Sequence, residues 1–204
     1  MPYALPLVLL LLAVISMRLY AVLPRVNRAK RAARSRSEAC TLAVFLGSGG
    51  HTSEALVLLS ALDFDRYCPR KYFVSQGDIL SAKKAITLES ERASGPASYT
   101  IITIPRARRV HQSLLTTPLS SAISLMACIY HATISPLLSG KPFADVLLVN
   151  GPGTCVMLCL AVYLNKFLGL PSSKLIYVES YARVNRLSLS GKILKPFVDK
   201  CAPL

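Results

Sequence analysis

The chain has 204 residues, with 24 Lys and Arg against 10 Asp and Glu and a net charge of +14. That length accommodates one α/β domain with a real core and little else. With no tryptophan and few aromatics, the basic excess builds no stacking platform for single strands, so nucleic acid is not expected as a partner; anionic lipid headgroups or a lipid-linked phosphate suit the charge better.

The chain opens on "YALPLVLLLLAVISM", uncharged from Tyr3 to Met17; Arg18 interrupts it before "LYAVL" ends at Leu23. The run is about twenty residues, enough to cross a bilayer, with Arg18 near enough to its end to snorkel. No Lys or Arg precedes it and no small-residue cleavage site follows, so residues 3–23 read as an uncleaved transmembrane anchor and not as a signal peptide. Arg25, Arg28, Lys30, Arg31, Arg34 and Arg36 crowd the far flank, which places the body of a single-pass protein in the cytosol. Residues 24–39 form a basic linker, and 40–204 the domain.

Thr41 to Leu46 is a short apolar run of strand length, followed by "GSGGH" at 47–51. From Thr52 onward Ala55, Leu56, Leu58, Leu59 and Leu62 recur at helical spacing. Strand, glycine turn and helix start together form a phosphate-holding device, because glycine lets backbone N–H groups approach an anion at the positive end of a helix. The plainer alternative is a turn that needs a positive φ.

"RKYFVS" is the second strand, "GDILSAKKAITLESER" a polar-faced helix and "YTIITI" the third strand, ending at Pro105. Next comes "PRARRVHQ", whose Arg106, Arg108 and Arg109 would lie near headgroup phosphates. Residues 113–138, "SLLTTPLSSAISLMACIYHATISPLL", are unusually apolar. They read as a helix that packs on the sheet and touches the bilayer surface; two prolines, His131 and several Ser and Thr disfavour a second span. Ala144 to Asn150 is the fourth strand, and its "NGPGTC" end is a second glycine turn, through Asn150, Gly151 and Gly153, into the helix "TCVMLCLAVYLNKFLGL". Two anion-favouring turns at one sheet edge suggest a pyrophosphate. Lys174 to Ser180 is the fifth strand and brings Glu179 to that edge as general base, sugar-hydroxyl partner or helix N-terminal charge. Strands alternating with helices, without hairpin signals, imply a Rossmann-like, doubly wound parallel sheet that binds ligands beyond its carboxyl ends.

Six cysteines lack C-x-x-C pairing and three histidines are scattered, so no metal site is expected; Cys155 and Cys159 read as buried thiols in an apolar helix. A dinucleotide enzyme is disfavoured, because the first turn is G-x-G-G-H and "FVSQGD" offers only Gln76 at the end of the second strand, with Asp78 in the turn beyond it.

Taken together, the anchor, "FLGSGGHTSE", "PRARRVHQS", "VNGPGTC" and "YVESYARV" resemble the membrane-anchoring subunit of the two-part UDP-N-acetylglucosamine transferase of dolichol-linked oligosaccharide assembly, over Leu5 to Asp199. "GxGGH" alone is shared with the bacterial peptidoglycan transferase that adds the same sugar to a lipid pyrophosphate. The resemblance implies the acceptor-binding half of a split GT-B glycosyltransferase on the cytosolic face of the endoplasmic reticulum membrane. A soluble catalytic subunit would supply the other half and bind UDP-N-acetylglucosamine. The pair would add the second N-acetylglucosamine to N-acetylglucosaminyl-diphospho-dolichol in N-glycosylation, with no cofactor and no metal, and this chain is not expected to be active alone. On this reading His51 is base or acceptor ligand and Glu179 its orienter or an alternative base. Gly47, Ser48, Gly49, Gly50 and Thr52 contact the acceptor, with Asn150, Gly151 and Gly153 as a second cradle. Members of the family continue past the position of Lys200 with another strand and a partner-gripping segment, whereas this chain stops at "DKCAPL"; the alternative expectation is a non-catalytic membrane adapter that no longer docks its partner.

Overall fold

A computed structural model describes residues 4–24, 38–92, 98–108, 112–113, 115–151, 153–181 and 187–202. Most of the expected basic linker, Arg109 and much of "SYARV" lie outside them. In chain order the elements are α1 (Ala4–Ala21), β1 (Leu42–Leu46), α2 (Gly50–Ser60), β2 (Arg70–Ser75), α3 (Ile79–Arg92) and β3 (Tyr99–Ile104). There follow α4 (Thr117–Ile129), a π-helical turn (Tyr130–Ile134), α5 (Ser135–Ser139), β4 (Val146–Val149), α6 (Thr154–Leu168), β5 (Lys174–Val178), α7 (Leu189–Leu194) and β6 (Lys200–Ala202).

The strands form one sheet in the order β3-β2-β1-β4-β5-β6, with every neighbouring pair parallel. This is the Rossmann-like, doubly wound arrangement. Every residue of the central strand β1 is buried, because helices cover both faces, and a strand shielded on both sides has no use for alternating polar residues. One face packs Val44, Leu46, Tyr72 and Val74 against Ala55 and Leu59 of α2 and Ala85 and Leu88 of α3. The other packs Phe45, Phe73, Leu147 and Tyr177 against Cys128 of α4 and Cys155, Leu158 and Val162 of α6.

β6 is a strand the sequence reading placed beyond the end of this chain. It pairs with β5 through Tyr177 and Cys201, and its 3 residues are too few to carry a periodic signal. The apolar segment after β3 also departs from one continuous helix. Pro136 has no N–H to give to the carbonyl four residues earlier, on Ala132. That carbonyl instead accepts from Asn165 Nδ2 of α6 at 2.8 Å, and the Ser135 N–H reaches back to the Tyr130 carbonyl. Thr133 Oγ1 donates to Asn165 Oδ1 at 2.6 Å, so a buried amide repairs the ladder where proline breaks it. Thr117–Ser139 is 23 residues long and, by length and composition, apolar enough to cross a membrane. Its inner face, at Ser124, Cys128, Ala132 and Thr133, is nevertheless buried and lies mainly against α6.

Arg18, near the end of α1, donates through Nε to the Phe167 carbonyl at 2.9 Å and through Nη2 to the Lys166 carbonyl at 3.3 Å. These are last-turn carbonyls of α6, where the helix dipole favours a cation. The guanidinium expected to snorkel toward water therefore caps a helix of the domain.

A buried ion pair ties β2 to α3. Arg70 Nε lies 2.6 Å from Glu89 Oε1, and Nη2 lies 2.8 Å from Oε2. The Tyr72 hydroxyl donates to Oε1 at 2.6 Å, and Nη1 bridges the Phe64 and Tyr67 carbonyls. Glu89→Ala strands a guanidinium that is 3% exposed and is expected to cost about 3–5 kcal/mol, read from the midpoint of chemical unfolding in detergent.

Candidate functional site

The sheet order reverses between β1 and β4: the chain leaves β1 toward α2 on one face and β4 toward α6 on the other. In open α/β sheets this switch point leaves a crevice at the carboxyl ends of the strands, where ligands bind. The two glycine turns read from the sequence are the loops that border it.

Gly49 has φ 69° and caps α2, with no side chain bonding to the first helical N–H groups. Gly153 caps α6, also without a side-chain cap. The first turn of any helix leaves N–H groups without intrahelical partners, so both helices present them toward the crevice. A Cβ added to Gly49, Gly50 or Gly153 would meet nothing within 4 Å. No described neighbour demands glycine there, although the positive φ of Gly49 does, and the backbone stays open to approach. Gly151 is the opposite case. Its φ is +111°, and a Cβ would lie 3.2 Å from His51 Cγ and 3.3 Å from the Gly47 Cα. Here the two turns touch, with the His51 ring against the backbone of the second.

His51 Nδ1 lies 2.9 Å from Asn150 Oδ1. Asn150 Nδ2 donates to Glu54 Oε2 at 3.0 Å. Glu54 Oε1 accepts from Ser180 Oγ at 2.7 Å and from the Tyr181 N–H at 3.2 Å. The carboxylate thus joins α2 to the loops after β4 and β5. Burial opposes its charge, but the hydrogen bonds from Ser180 and Asn150, the nearby His51 and the Tyr181 amide together hold it below the usual carboxylate range. His51 and Glu54 stand three residues apart on α2, a spacing that places them on one helical face.

Other residues singled out from the sequence point elsewhere. Thr52 is 1% exposed; its hydroxyl faces the Gly47 carbonyl at 3.3 Å and Ser81 Oγ at 2.6 Å, so it braces the first turn from beneath. The Asn150 amide is occupied by His51 and Glu54, which leaves its backbone for any anion contact. Glu179 is 3% exposed. Its Oε2 accepts from the Ser188 N–H at 2.8 Å, and its Oε1 from the Ser180 N–H at 3.1 Å. Ser188 is the N-cap of α7, so of the three roles left open for Glu179 the geometry favours the charge at a helix N-terminus. Cys155 and Cys159 are buried in α6, and burial pushes the Cys155 thiol up to about 12.

Beside the crevice, between the ends of β2 and β3 and the start of α4, runs a groove of about 840 Å³ lined by Gln76, Arg106, Gln112, Thr116 and Ile123. Arg106 Nε donates to the Gln76 carbonyl at 3.1 Å, and Arg108 Nη2 to the Gln112 carbonyl at 3.2 Å. Leu119, Ile123, Met126, Tyr130 and Ile134 succeed one another along the outer face of the same helical segment, each at least 40% exposed. Glu54, Ser180 and Tyr181 were missed from the sequence. The His-x-x-Glu spacing was a usable signal for the first; nothing local marks the other two.

Residues 42–202 match the family described as "Oligosaccharide biosynthesis protein Alg14 like". The chain is 51% identical over 159 residues, 78% of its length, to the UDP-N-acetylglucosamine transferase subunit alg14 of Schizosaccharomyces pombe, of which the match covers 72%. It is 47% identical over 171 residues, 82% of its length and 74% of the relative, to the subunit ALG14 of Cryptococcus neoformans. With the ALG14 of Rattus norvegicus it shares 40% identity over 158 residues, 75% of this chain and 69% of that one.

The contrast between the glycines is measurable. Gly151→Ala must strain a left-handed backbone or displace the His51 ring and is expected to cost about 1–3 kcal/mol. Gly153→Ala is expected to stay within about 0.5 kcal/mol, both read from thermal unfolding midpoints.

Proposed function

The chain belongs to the Alg14 family of oligosaccharide biosynthesis proteins, and from that premise we propose that it is the membrane-anchored, acceptor-side subunit of a UDP-N-acetylglucosamine transferase. It recruits a soluble catalytic subunit, which binds the nucleotide sugar, to the cytosolic face of the endoplasmic reticulum. It holds N-acetylglucosaminyl-diphospho-dolichol for addition of the second N-acetylglucosamine in protein N-glycosylation. The observation that carries the reading is the meeting, at the switch point, of two helix starts without side-chain caps and a histidine packed against the second turn.

In this reading the N–H groups at the starts of α2 and α6 bind the diphosphate of the acceptor, with Gly47, Ser48, Gly49 and Gly50 on one side and Gly151 and Gly153 on the other. His51 faces the acceptor sugar. As its hydroxyl oxygen bonds to the anomeric carbon of the donor, the bond from that carbon to UDP breaks, and the hydroxyl proton passes to His51. Glu179 steadies the loop that supplies Ser180. α1 anchors the chain, the outer stripe of α4 rests in the bilayer surface, and Arg106 and Arg108, with Arg109, meet headgroup phosphates.

His51→Ala in the full chain, co-expressed with the catalytic subunit, is expected to lower transfer to the lipid acceptor by about 10²–10⁴-fold while the partner still co-purifies. Undiminished transfer would instead favour a membrane adapter that only holds the catalytic subunit. Replacing Leu119 and Ile123 together by Glu is expected to raise KM for a vesicle-borne acceptor and to leave KM for a short-chain, water-soluble acceptor unchanged.

A further inference from the structure

We infer that Glu54, acting through Asn150, is a positioning residue that dictates which ring nitrogen of His51 carries the proton. The inference rests on the reading of His51 as the base and adds how that base is prepared.

The argument is one of donors and acceptors. An ionised carboxylate can only accept hydrogen bonds, so the Asn150 atom 3.0 Å from Glu54 Oε2 is the amide nitrogen. The amide oxygen must then face His51 Nδ1, at 2.9 Å. A carbonyl oxygen also only accepts, so in the neutral ring Nδ1 carries the proton and Nε2 holds the lone pair. Among the described residues, none is recorded hydrogen-bonding to Nε2. The carboxylate does not do this directly: Oε2 lies 3.7 Å from Nδ1, beyond hydrogen-bond reach, with the amide as the link.

Two features lock the relay. Ser180 and the Tyr181 amide hold the other oxygen of Glu54 at 2.7 Å and 3.2 Å, so the carboxylate cannot swing away from Asn150. Gly151 closes against one side of the ring, so the imidazole cannot tip toward the second turn. If Glu54 no longer imposed the direction, the Asn150 amide could turn over, offer its nitrogen to Nδ1 and move the proton to Nε2. His51 would then confront the acceptor hydroxyl as a donor. A carboxylate that shares no atom with the reaction would thus decide whether the base is competent, as the hydrogen-bond partners of metal-bound histidines do for those rings.

The test is a double-mutant cycle in the full chain, co-purified with its catalytic subunit and assayed with the lipid-linked acceptor. Glu54→Leu and Asn150→Leu are each expected to lower kcat by about 10²-fold or more with acceptor KM essentially unchanged. The double variant should be no worse than the worse single, because both break one relay. Glu54→Gln can still accept from Asn150 through its amide oxygen, but only by setting its NH2 against the Tyr181 N–H, and is expected to recover part of kcat. Losses that multiply in the double variant, or a loss confined to KM, would overturn the relay. If Glu54→Leu is recovered poorly, the 15N shifts of the His51 ring decide in Asn150→Leu: a proton moved to Nε2 supports the relay, and one kept on Nδ1 sinks it. The two layers fail separately. An active His51→Ala removes the base reading itself, whereas an inactive His51→Ala beside a fully active Glu54→Leu removes only the relay.

Discussion

The site depends on one close approach, that of the Gly151 backbone to His51 and Gly47. Two turns from neighbouring parallel strands can meet at this distance only if one of them carries no side chain and accepts a positive φ. The approach is set lower in the sheet, where β1 and β4 run in register from Leu42 and Val146 to Phe45 and Val149. Because both strands are wedged between two cores, a slip of one residue would turn a buried face outward. The register therefore fixes where each turn begins, and the turns fix where the imidazole stands. Thr52, sealed below against Ser81, stops the first turn from sinking away.

Much of this was legible in the sequence. β2 and β3 were read with the ends they have, and β1 within one residue, because apolar runs bounded by glycine, proline and polar clusters leave few alternatives. The glycine turns were legible for the same reason. What resisted reading was the direction of individual side chains. Strand and helix periods assign a face, yet Thr52 and Glu179 lie at element ends, where the backbone turns and the period lapses; both side chains are buried in the fold. Glu54 went unread although its spacing from His51 puts both on one helical face, and its role depends on Ser180, which is 126 positions away in the chain. The kink at Pro136 was equally non-local in its remedy, since the carbonyl it orphans is met by Asn165 from another helix.

The polar groups inside the domain share a logic. Arg70 with Glu89, Asn165 with Thr133 and Ala132, and Glu54 with Asn150 and Ser180 each join elements distant in sequence. Directional bonds of this kind add little net stability, but any half-satisfied arrangement is costly, so they select one packing from the many that apolar contacts alone would permit. The basic excess behaves differently: Arg106 and Arg108 are spent in part on neighbouring carbonyls, which ties Arg106 to the groove wall and Arg108 to the loop beside it.

The capping of α6 by Arg18 has a geometric corollary. α6 begins with Gly153 at the sheet edge that carries the candidate site and ends at the opposite edge, where α1 is fastened. Its 15 residues, at 1.5 Å each, hold those two points about 22 Å apart. The helix is thus a ruler as well as a wall of the core, setting how far the candidate site stands from the place where α1 is fastened. Under the proposed function, a substrate tethered in the same membrane would have to span that fixed height, or follow the apolar flank of α4 that runs beside it, before its sugar could reach the histidine.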